Sequence, residues 1–155
     1  MKRIISIAIA ALAITSSLCS CKKQEMPEVE YLPVTSNNIS GTWTLVSYSG
    51  KHETEDKPVF QTPIEGTFLN VTFYRKDQTF EITTNLDSSD LVPHTSNGIF
   101  NIVTDDAIGS IIKGKYDHGG EMWSHDYVIT DLTSTTMTWT ALDNEFYIQH
   151  FRKAE

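Results

Sequence analysis

From Gly41 to the C-terminus the apolar residues recur with a period of two, and this constrains the chain more than any other feature it has. A period of two sets successive side chains on opposite faces of a strand, whereas a helix needs 3.6. Residues 42–49 place Trp43 and Leu45 on one face, with Thr44, Val46 and Tyr48 opposite. Residues 68–75 alternate Leu69, Val71 and Phe73 against Asn70 and Thr72. After the polar turn Lys76-Asp77-Gln78, residues 79–84 return with Phe80 and Ile82 inward. Further strands are expected at 98–104, 108–116, 126–131, 135–142 and 145–152. Met137, Trp139 and Ala141 share one face of the penultimate strand, and Phe146, Ile148 and His150 share one of the last. Asp143-Asn144 suits the turn between them, since short polar side chains tolerate turn geometry. No helical periodicity occurs in this region.

Eight strands in simple succession predict an all-β domain over 41–155: an antiparallel up-and-down barrel, which closes on itself and leaves no edge. The rival architecture is a two-sheet sandwich. A barrel of eight strands has a bore just wide enough for side chains or one small ligand. The inward set Leu45, Leu69, Val71, Phe73, Phe80, Ile82, Trp139 and Ile148 is the expected ligand lining. Asn101, Ser110 and Gly114 are small or polar enough to leave room. Two long connections interrupt the meander, at 50–66 and 85–97. The first carries Val59, Phe60 and Ile64 and is expected to fold over the bore as a lid.

Gly41-Thr42-Trp43 on the first strand of such a barrel resembles the opening motif of the lipocalins. The resemblance implies a basic residue of the last strand against the tryptophan ring, for which Arg152 is suitably placed. A guanidinium there would gain roughly 0.5–2 kcal/mol from the ring face. Lipocalins also carry Thr-Asp-Tyr between the sixth and seventh strands, and Thr130-Asp131-Leu132 matches two of those three residues. A C-terminal helix is lacking, which makes the chain most similar to the compact lipocalin-like domains of Bacteroidota lipoproteins.

The N-terminus carries an address. Lys2 and Arg3 precede an apolar run from Ile4 to Ile14, the layout of a secretory signal too short to span a bilayer. Leu18-Cys19-Ser20-Cys21 then resembles the lipobox of bacterial lipoproteins. It implies cleavage of residues 1–20 and attachment of acyl chains, palmitate among them, to Cys21. Cys19 suits this role less well. Residues 21–40, with Pro27 and Pro33, read as a flexible tether. Lys22 stands where an inner-membrane retention aspartate would otherwise lie, so the expectation is a Gram-negative outer membrane, with either face open. The net charge is −8, and loss of Lys2 and Arg3 makes the chain more acidic still. Such a chain repels phosphate backbones, which excludes nucleic acid as a natural partner.

Chemistry-bearing residues are few. Asp117-His118-Gly119-Gly120-Glu121 with His125-Asp126 is the densest polar cluster, but a turn separates its histidines and the thiols leave with the signal and the anchor. A solvated hairpin loop explains it without a metal. Ser124-His125-Asp126 cannot converge as a triad, because neighbours on a strand point to opposite faces. His150 could line the bore or close one end of it. No phosphate loop or nucleophile elbow occurs. The expectation is a non-enzymatic protein without cofactor or metal, tethered by acyl chains and binding a small apolar or amphipathic ligand. The alternative is a barrel packed solid that docks another envelope protein.

Overall fold

A computed structural model describes residues 28–50 and 56–155. Among the described residues nine strands follow one another and no helix joins them: β1 (Gly41–Gly50), β2 (Val59–Gln61), β3 (Leu69–Tyr74), β4 (Thr79–Thr84) and β5 (His94–Asp105) come first. β6 (Gly109–Tyr116), β7 (Tyr127–Thr130), β8 (Thr136–Ala141) and β9 (Asn144–Lys153) complete the series. Every pairing is antiparallel. Strands β3 to β8 each pair with the next, β1 pairs with β3, and β1–β9 pairing closes the ring. The expected closed eight-stranded barrel is therefore the fold, and it is consistent with a lipocalin-like architecture.

The ninth strand was not expected. β2 lies within the connection read as a lid, and it pairs with the end of β1 through Tyr48↔Gln61 and Gly50↔Val59. β1 is long enough to hold β3 along its first half and β2 along its second, with β9 on its other edge. The described part of this connection thus extends the wall. Phe60 stacks on His150, ring centroids 5.1 Å apart, on the outer surface. β5 also begins at His94, four residues before the expected start, which shortens the second long connection.

The lower half of the bore is filled. Trp43, Phe73, Phe100, Ile112, Ile129, Met137 and Phe151 interlock there as one buried cluster. Phe73 meets Phe100 edge-on at 4.9 Å, and Trp139 lies against Phe151 at 4.7 Å. Part of the stretch read as a tether seals this end. Leu32 and Val34 pack on the core, Ile39 is fully buried, and the Leu32 N–H donates to the Leu132 carbonyl at 2.7 Å. The Trp43 indole N–H donates to the Ile39 carbonyl at 2.7 Å. Leu132 stands where the lipocalin tyrosine would be and is itself buried in the plug.

The cation over the Trp43 ring is Lys153, at 5.1 Å, rather than Arg152. Strand register explains the correction. Trp43 pairs with Lys153, which shares the inner face with Phe151, whereas Arg152 pairs with Thr44 and is exposed. Gly41 has a φ of +110°, and a Cβ there would lie 3.1 Å from the Lys153 side chain. The motif glycine supplies both the backbone turn and the space for that lysine.

Candidate functional site

The end opposite the plug is where β3, β5, β7 and β9 begin and where β1, β4, β6 and β8 finish. Here the inward side chains do not fill the bore. A cavity of about 200 Å³ opens between them. Val71, Ile82 and Phe151 lie at the filled half, Leu69 and Thr84 stand nearer the mouth, and Trp139 and Tyr127 line the side formed by β7 and β8. Ser96 and Gln149 add polar groups from β5 and β9. Asp87 and His94 come from the β4–β5 connection and the start of β5, 3.6 Å apart and both well exposed.

One wall comes from a loop. After β6 the chain folds back along the strand it has just left. The Tyr116 N–H donates to the Glu121 carbonyl at 2.7 Å, and the Trp123 N–H donates to the Gly114 carbonyl at 2.9 Å. This return drives the Trp123 ring into the bore directly over Gly114. A Cβ on Gly114 would lie 2.0 Å from Trp123 Cε2, closer than any real contact allows. The ring is stacked on Trp139 at 5.6 Å and 28°, and it meets Phe80 edge-on at 4.9 Å. Tyr127 lies 5.2 Å from Trp139. The Trp123 indole N–H is buried without a partner among the described residues.

A second loop is held by one amide. Asn85 is buried and accepts from the Phe68 N–H at 2.8 Å, while its Nδ2 donates to the carbonyls of Gly66 and Leu91 at 2.9 and 3.1 Å. It ties the two connections beside the mouth to each other. Burial pushes the Tyr127 phenol up to about 12, helped by the charges of Tyr116 and Asp143 and opposed by a hydrogen bond with Ser124. Burial also raises Tyr116, with Asp87 adding to it. Both phenols therefore keep their protons at neutral pH and stand as hydrogen-bond donors.

The expected lining divides into three groups. Leu69, Val71, Ile82 and Trp139 border the cavity. Leu45, Phe73 and Phe80 point inward but belong to the packed cluster and do not reach the free volume. Ile148 does neither. It pairs with Thr140, one step out of phase with the inward pair Trp139↔Gln149, so it faces outward together with His150. His150 instead meets Thr138 Oγ1 at 3.1 Å on that outer face. Asn101 is exposed on the outside of β5, and the space that Gly114 offers is taken by Trp123. Cys21 lies outside the described residues.

Trp123, Tyr116, Tyr127 and Gln149 border the cavity without having been expected there. Strand alternation could have found Tyr116, which lies two residues beyond Gly114. Trp123 had no such signal, because it is not in a strand. None of the described residues between 56 and 66 touches the cavity, so that part of the first connection does not act as its lid. His125 Nδ1 lies 2.8 Å from Asp143 and its ring stacks on Tyr147 at 5.4 Å. Among the described residues no three His, Cys, Asp or Glu side chains are grouped to hold a metal ion. No protein-family model, curated protein or solved structure matches the chain.

Proposed function

We propose that the chain is a lipid-anchored envelope protein whose barrel takes a small apolar or amphipathic molecule into its open end. The observation that carries this reading is the half-filled bore: packing is dense below Val71 and Phe151, yet about 200 Å³ stays free beneath an aromatic wall. Protein interiors normally close such volumes, because each unfilled one forfeits contacts on its lining. An engineered apolar cavity of roughly 150 Å³ is known to hold benzene, so a single ring or a short branched chain fits this one. Transfer of the ligand out of water would drive binding, with Gln149, Ser96 and the tyrosine hydroxyls orienting any polar end. The free volume also weighs against the rival reading of a solid barrel that serves only to dock a partner.

Native mass spectrometry of the purified protein tests the proposal. A ligand of small-ring size should accompany the protein and disappear in Ser96→Phe, which fills the cavity from the inner face of β5. Failure of small aromatic probes to bind the unaltered protein would sink it. The anchor has its own test. Labelling cells with palmitate should mark the protein, and Cys21→Ser should abolish the label and release the protein from membranes, while Cys19→Ser should do neither.

A further inference from the structure

We infer that the cavity selects a small organic cation, an amine carried on an apolar body, and rejects carboxylates of the same size. The inference rests on the ligand-binding reading above and adds the charge of the ligand to it. Among the described residues Asp87 is the one carboxylate on the wall, and no lysine or arginine accompanies it. The lysines of β6 lie on the outer face, where Lys113 is held by Asp126 at 2.9 Å. Lys153 is at the opposite end, over Trp43. Among the described residues His94, 3.6 Å from Asp87, is the only lining group able to carry positive charge, and its exposed carboxylate neighbour offsets it.

An anion entering this space would lose water and find no fixed cation among the described residues, and an unpaired charge in a low-dielectric site is strongly disfavoured. A cation meets the reverse situation. The indole rings of Trp123 and Trp139 and the phenol rings of Tyr116 and Tyr127 border the space. Trp123 lies between Gly114 and the stacked Trp139, so these rings supply the apolar wall, and the attraction for an ammonium comes from the Asp87 carboxylate. The chain's net charge of −8 adds a field of the same sign at longer range. Ser96, Ser124 and Gln149 provide oxygen acceptors for ammonium hydrogens.

Isothermal titration with three probes of one size tests this: benzylammonium, its neutral counterpart ethylbenzene, and benzoate. Benzylammonium is expected to bind at least about tenfold more tightly than benzoate, a gap that about 1.4 kcal/mol of charge preference produces. Asp87→Asn, at an exposed position that should not disturb folding, is expected to weaken benzylammonium by about two- to fivefold and leave ethylbenzene unchanged. Benzoate binding as tightly as benzylammonium would overturn the cation preference while leaving a ligand-binding barrel intact. Ethylbenzene binding more tightly than benzylammonium, with no response of the latter to Asp87→Asn, would do the same. If none of the three binds, the parent reading falls as well.

Discussion

At Gly114 a hydrogen in place of a side chain decides where the Trp123 ring rests, and with it the shape of the cavity. Gly114→Ala places a methyl group 2.0 Å from Cε2, so ring or strand must move. Overpacking of this kind costs about 1–3 kcal/mol. The expected result is a lower urea midpoint together with a red-shifted tryptophan emission, as Trp123 is expelled toward water. Tyr127 supplies a second residue-scale expectation. Its folded-state value of about 12 stands above the usual 10.0, so the folded protein holds this proton more tightly than the unfolded chain. The associated stability is fully present below pH 10 and is lost as pH rises toward 12, by about 3 kcal/mol in all. Denaturant melts between pH 9 and 12 should show the decline, and Tyr127→Phe should flatten it. The sequence marks Gly114 only as room in the bore, and it gives Tyr127 no functional signal. A glycine matters here because of what lies over it, and that ring comes from nine residues further along the chain.

Among the elements, β1 shows how alternation is followed and then broken. Trp43 and Leu45 point inward as their spacing implies, but the register slips between Leu45 and Ser47 against β9. One extra residue on one strand turns everything after it to the other face. Tyr48, expected opposite Trp43, therefore packs on the core. β9 alternates from Ile148 onward, yet its inward set is Gln149, Phe151 and Lys153 rather than Ile148 and His150. The pattern Phe146, Ile148, His150 was legible, and the face it occupies was not, because both faces of β9 carry apolar residues. The segment before β1 is the other departure. Ile39→Ala should cost about 2–5 kcal/mol in chemical denaturation, the range for truncating a fully buried aliphatic side chain. A flexible tether would show almost no loss. In the same assay Lys153→Ala should cost about 0.5–1 kcal/mol by removing the cation over Trp43, and Arg152→Ala should cost close to nothing.

For the molecule as a whole, closure depends on contacts between its ends. Trp43 pairs with Lys153, and β1 and β9 meet along five register positions. Such non-local pairing makes loop closure precede any reward from burial, and barrels of this kind fold in milliseconds to seconds rather than microseconds. Stopped-flow refolding followed by tryptophan emission should give a main phase in that window. Phe151→Ala, within the closing pair Leu45↔Phe151, should raise the unfolding rate more than it lowers the folding rate if closure comes last. The two ends of the barrel also differ in kind. One is plugged by Ile39, Trp43 and Leu132, while the other keeps its volume and gathers the polar groups.

Residue order alone sets the period, and with it eight of the nine strands, their succession and the closed barrel. Alternation is a local property, written in neighbouring residues and read without knowing what they will touch. It also marked Trp43 as a buried anchor, since a large ring on an inward face has nowhere else to go. Tertiary structure alone decided which half of the bore is full. That outcome depends on a loop returning Trp123 over Gly114, on a bulge that reorients Tyr48, and on a segment before β1 whose Ile39 seals the far end. Each is a sum of volumes brought together from distant parts of the chain, and free volume has no residue of its own to announce it.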